Sequence, residues 1–203
     1  MSIFRRYEWR HAGRDFHYEA EWPKSWLQRL ESLDHSYTEP DQYEHYLNND
    51  PYEDELGEFL EEIVALGEKH LDFQENRDVF EYLLSFVQHL RCLEERGDYP
   101  RYPMETIIDR GGDCEDTGIL MGFIAEQLDY EFAFIHFHKD GFLGIGSFGH
   151  IDLGIVASYP GEFSGTYWEK DGMKYYYVHC NGRFRKIGEY SGKWGNHATI
   201  HPY

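Results

Sequence analysis

The apolar residues change period once along the chain, and that change restricts the fold more than any other feature. Leu56, Phe59, Leu60, Ile63, Val64 and Leu71 recur at helical spacing, and so do Val79, Phe80, Leu83, Leu84, Val87 and Leu90. Leu120, Phe123, Ile124 and Leu128 give a third helical stripe. Beyond residue 130 the pattern turns to β-rich runs, "EFAFIHF", "GHIDLGIV", "KYYYVHC" and "RFRKIGEY", separated by loops that contain glycine. Helices first and an antiparallel sheet afterwards predict an α+β fold with the helices packed on the sheet. Ahead of the helices, the aromatics of "RRYEWRHAGRDFHYEAEW" around Ala12-Gly13 predict two short strands and a turn. Residues 23–53 are polar and rich in Tyr and acids, with Pro40 and Pro51 marking loops. No repeat, low-complexity tract or linker divides the 203 residues, so a single domain over 1–203 is expected.

Charge narrows the partners. Against 38 acidic residues stand 19 Lys and Arg, a formal net charge of −19. Nucleic acid and anionic membrane both demand a basic surface, so neither is expected. Three cysteines, Cys92, Cys114 and Cys180, form no framework spacing, which points to free thiols and a reducing compartment. "MSIFRRYEWRHAGRD" has no apolar core of a signal peptide, and no apolar run reaches the ~20 residues that span a bilayer. A soluble, cytoplasmic protein is expected.

The chemistry centres on "ETIIDRGGDCEDTGILMGFIAEQL", residues 105–128. Asp113 is a good helix N-cap, and Asp116 sits three residues on, where a capping-box acid belongs. Cys114 then occupies the first turn, near unpaired backbone N–H groups and the positive end of the helix dipole, a setting that lowers a thiol's pKa. Asp113, Glu115 and Asp116 push the other way, so an imidazole is needed to activate the thiol. Gly111 and Gly112 allow a tight backbone path in front of the sulfur. Along "HIDLGIV", Ile151, Leu153 and Ile155 share one face of a strand while His150 and Asp152 share the other.

The block "YPMETIIDRGGDCEDTGILMGFIAEQL" resembles the core motif of transglutaminase-like proteins, especially the bacterial transglutaminase-like cysteine proteinases and their archaeal relatives. "LLSFVQHL" upstream and "GHIDLGIV" and "KYYYVHCNGRFRKIGEY" downstream extend the resemblance over about residues 75–190. The resemblance implies a papain-like, transglutaminase-like fold and thiol chemistry without a cofactor or metal, acting on a peptide, protein or small amide. It implies Cys114 as nucleophile and His150 as general base. Relatives carry an acid or amide on the next strand; here His179 stands at that position, with Asn181 two residues on as an amide alternative and Asp152 or Glu189 as acids from elsewhere. Gln88, on the preceding helix, matches a glutamine that donates to the oxyanion. Hydrolysis and transfer to an amine share one acyl-enzyme, and loss of catalysis with retention of a binding role is the third outcome.

Two other classes are open. The 12 histidines include His136, His138 and His150 in "FIHFHKDGFLGIGSFGH", which with His179 and Cys180 sketch a hydrolytic metal site, although adjacent strand residues face opposite ways. Trp9, Tyr18, Trp22 and Trp26 either line a peptide groove or pack into the core.

Overall fold

The computed structural model describes residues 1–93, 99–138, 149–182, 184–195 and 197–203. The chain opens with a hairpin of β1 (Ser2–His11) and β2 (Arg14–Pro23), antiparallel throughout. Ala12 and Gly13 both take positive φ, as a two-residue turn matched to strand twist requires. Tyr7, Trp9, Phe16 and Trp22 are buried, and Trp26 and Tyr18 pack against the same core, so the aromatic set forms core and not an open groove.

Among the described residues, five helices precede the cysteine helix, α1 (Lys24–Leu30), α2 (Glu44–Asn48), α3 (Glu53–Glu68), α4 (Asn76–Gln88) and α5 (Pro103–Asp109), with a 3-10 turn at Pro40–Gln42. Helices α3 and α4 carry the two stripes of the sequence except Leu71 and Leu90, which lie beyond their ends. Helix α5 is not visible in the periodicity because it is short, and it begins with Pro103 and stops at Arg110 in the left-handed region. Between α4 and α5 lies β3 (Arg91–Cys92), which pairs in parallel with β4 (Gly111–Gly112). Helix α6 (Cys114–Gln127) follows at once, and every residue from Asp116 to Ala125 is buried. It is apolar nearly all round because other helices cover it on one side and a sheet on the other.

That sheet has five antiparallel strands in the order β7 (Tyr167–Lys170), β8 (Met173–Val178), β6 (His150–Val156), β5 (Phe132–Phe137), β9 (Ala198–Pro202). The α+β architecture expected from the order of the elements is therefore present. Phe132, Phe134, Ile151, Leu153 and Ile155 face α6 and join the main core. On the opposite face Ile135, Phe137 and Tyr177 meet Trp168, Tyr190 and Trp194. With both faces covered, "FAFIHF" can be apolar at both parities.

The C-terminal third departs from the expected strands. "RFRKIGEY" holds no strand among its described residues; Gly188 N–H donates to Tyr177 O (2.7 Å), and Gly188 O accepts from Thr166 N–H (2.9 Å). Gly188 has positive φ, and a Cβ there would stand 1.9 Å from Ser164 O, so the chain crosses here and does not run on as a ladder. The edge strands β7 and β9 were not expected from the pattern. Among the described residues no helix is long and apolar enough to cross a membrane.

Gly112 is fixed by its contact with α6. A Cβ at this position would lie 2.4 Å from Asp116 Cβ. Gly112→Ala is expected to cost about 1–3 kcal/mol through overpacking. Gly57→Ala, on α3 with nothing within 4 Å of the added carbon, is expected to stabilise by about 0.5–1 kcal/mol. Urea unfolding of both variants checks the contrast.

Candidate active site

Asp113 caps α6 as its sequence suggests. Its Oδ1 accepts from the backbone N–H groups of Glu115 (2.9 Å) and Asp116 (3.4 Å), and Asp116 Oδ2 accepts from Asp113 N–H (2.9 Å). Asp116 is also bound to Arg101, whose backbone N–H donates to Oδ1 (2.7 Å) and whose Nη1 donates to Oδ2 (2.8 Å). The first turn of α6 is thereby pinned to the segment before α5. Of the first-turn amides, those of Glu115 and Asp116 are taken by the cap. Cys114 N–H has no acceptor among the described residues, and a helix cannot supply one at that position.

Cys114 is half-buried, between exposed Cys92 and buried Cys180. Burial pushes its thiol up to about 12; the Ile151 backbone N–H acts against the rise, while Asp113, Glu115 and Asp152 add to it. The lowering expected from the helix N-terminus is thus overridden. The capping acids and the withdrawal from water outweigh one helix end.

His150 and Asp152 emerge from the same face of β6. His150 Nε2 donates to Asp152 Oδ2 at 2.7 Å, and both residues are buried. The indole of Trp194 stacks on the His150 ring (4.4 Å, 17°). His150 Nδ1 has no hydrogen-bond partner among the described residues, and no hydrogen bond joins Cys114 to His150. The hydrogen-bonded pair is therefore His150–Asp152, without the Cys114 thiol.

Asp152 is the centre of the network. Its Oδ2 also accepts from Tyr177 Oη (2.5 Å) and His179 Nδ1 (3.1 Å), and its Oδ1 accepts from Cys180 N–H (3.0 Å). Burial alone would raise its pKa. The His150 and His179 imidazoles reverse that and hold the carboxyl well below its ordinary value.

The other candidates separate. His179, expected as the group that orients His150, is bonded to Asp152 and Tyr177 and not to His150; the acid next to the base is Asp152, one pleat along its own strand. Asn181 was placed by strand alternation, but β8 ends at Val178, and Asn181 has no hydrogen bond among the described residues. The strand stops there because its next backbone groups are used elsewhere. The His179 carbonyl accepts from Gln88 Nε2 (2.7 Å), and the Cys180 N–H goes to Asp152. Gln88 Nε2 donates as well to Arg185 O (3.1 Å), and its Oε1 accepts from Arg185 N–H (3.3 Å). Both amide hydrogens are spent, so Gln88 clamps the backbone and is not an oxyanion donor. Glu189 accepts from Lys186 N–H, away from His150.

The metal grouping is also redrawn. His136 pairs with Ile151 and Phe137 with His150, so His136 points to the opposite face from His150. Its neighbour His138 meets Thr199 Oγ1 at 2.7 Å. Buried Cys180 donates to Val178 O. Tyr177 and Trp194 were not anticipated. Tyr177 shares a strand face with His179 and was open to the alternation argument, whereas Trp194 lies in "SGKWGN", which has no period to read.

No protein-family model, curated protein or solved structure matches this chain.

Replacing Asp152 leaves the donors of His150, His179, Tyr177 and Cys180 without their acceptor. Asp152→Ala is expected to cost about 3–5 kcal/mol at neutral pH. Because the folded carboxyl sits below its ordinary 3.8, its contribution is complete above that pH and is lost as the pH falls below it. Denaturant unfolding at pH 7 and pH 3 should therefore show a smaller gap between wild type and variant at the lower pH.

Proposed function

We propose that the protein is a transglutaminase-like, papain-type thiol enzyme that hydrolyses an amide or peptide bond through Cys114. The observation that carries this reading is the buried His150–Asp152 pair. With Nε2–H committed to Asp152, the neutral ring keeps its lone pair on Nδ1, the form a general base requires. The backbone of Ile151, next to His150 on that strand, acts to lower the pKa of the thiol.

The sequence of steps follows from these groups. Nδ1 of His150 takes the Cys114 proton as the sulfur bonds to the carbonyl carbon, and the Cys114 N–H donates to the oxygen that gains charge. The same proton passes to the amine as the C–N bond breaks, leaving a thioester. Water then attacks, gives its proton to His150, and releases the acid; the proton returns to sulfur. An amine in place of water gives a new amide from the same thioester. Asp152 stabilises the imidazolium that each step forms. Burial and the neighbouring acids raise the thiol above its ordinary value, so little thiolate stands at neutral pH. Its reactivity then depends on proton transfer to His150 and not on a standing thiolate.

Iodoacetamide labelling followed site by site by mass spectrometry across pH tests this dependence. In wild type, Cys114 is expected to label faster than Cys92 or Cys180 near pH 7. His150→Ala is expected to slow Cys114 at least tenfold, the equivalent of one pKa unit, with Cys92 unchanged. A Cys114 that lags Cys92 and is indifferent to His150 would sink the catalytic reading and leave a transglutaminase-like binding protein.

A further inference from the structure

His179 is not explained by thiol chemistry, which needs only one imidazole beside Asp152. We infer that His150, Asp152 and His179 form a binding site for a borderline transition-metal ion, Zn²⁺ above all, and that occupancy switches the thiol off. The ion site stands on its own geometry; the switch rests on His150 acting as base.

One donor atom from each of the three residues lies within 4.8 Å of the other two. His150 Nε2 and His179 Nδ1 both already point at Asp152 Oδ2, at 2.7 and 3.1 Å. Ligands bound to zinc at about 2.0–2.1 Å stand ~3.4 Å apart in a tetrahedron, so small side-chain shifts convert three hydrogen-bonding groups into three ligands. Two imidazoles and one carboxylate select against Mg²⁺ and Ca²⁺, which prefer all-oxygen sites. The ligands are held from behind. Cys180 N–H binds the other Asp152 oxygen, Gln88 binds the His179 carbonyl, and Trp194 stacks on His150. His179 is partly exposed, which gives an ion a way in.

Coordination and base catalysis compete for the same ring. A neutral imidazole has one N–H. When Nε2 donates to Asp152, Nδ1 is free to accept the Cys114 proton. When Nε2 gives its lone pair to a metal, the proton must sit on Nδ1, and no acceptor remains. The ion therefore disables His150 without contacting sulfur.

The test uses full-length protein stripped with a chelator, titrated with Zn²⁺ against a chromophoric competitor and with Co²⁺ by its visible spectrum. Wild type and Cys114→Ser are expected to bind one Zn²⁺ with equal affinity. His179→Gln and His179→Asn, which each keep a donor for Asp152, are expected to bind at least tenfold more weakly. Zn²⁺ should slow iodoacetamide labelling of wild-type Cys114 to the rate of His150→Ala, and should not slow it in His179→Gln. Equal affinity in the His179 variants, or no uptake by wild type, overturns the site. Uptake that leaves His150-dependent labelling unchanged overturns the switch. If uptake depends on His179 while labelling never depended on His150, the ion site stands and the thiol reading falls.

Discussion

The carboxylate of Asp116 is withdrawn from water and bound on three sides. Arg101 approaches through both its backbone and its guanidinium, and the Asp113 N–H closes the capping box. Burial pushes its pKa up to about 7, Asp113 adds to the rise, and Arg101 opposes it. Such a group is costly to bury, and it persists because its loss would free all three contacts together. The start of α6 depends on it, and with that start the path of Gly111–Gly112 and the position of Cys114. Arg101 also faces Glu105 and Asp109, so the acid of "PMET" belongs to this support. Burial holds Glu105 up at about 8.

Asp152 plays the corresponding part for the sheet. One carboxylate receives two imidazoles, a phenol and a backbone amide, and in doing so ends β8. The two aspartates work in opposite electrostatic directions. Around Asp116 several acids share one guanidinium and are driven towards protonation. Around Asp152 two imidazoles surround one acid and keep it ionised. The Cys114 thiol is held protonated first by its burial and then by the negative charge of Asp113, Glu115 and Asp152.

The sequence made legible what periodicity and capping control. The α3, α4 and α6 stripes, the Ala12-Gly13 hairpin, the Asp113–Asp116 box and the shared face of His150 and Asp152 all follow from local spacing. It did not reveal how backbone groups are spent by distant side chains. Gln88 and Asp152 remove His179 and Cys180 from the ladder, so the alternation that placed Asn181 ended three residues too soon. Gly188 breaks a run whose composition reads as strand, through a crossing with Ser164 that no local pattern encodes. The choice of Asp152 over His179 as the partner of His150 was one pleat away, and a position assigned by resemblance concealed it.

The clamp made by Gln88 joins residues 91 and 97 positions apart, and β9 closes the sheet with the last residues described. Contacts of such separation form late, because loop closure must precede any gain from them. Helix α6 and its cap are assembled from neighbours in sequence, while the imidazole and carboxylate wait for the C-terminal third. During synthesis the chain therefore presents the Cys114 helix before the strand that carries His150 and Asp152.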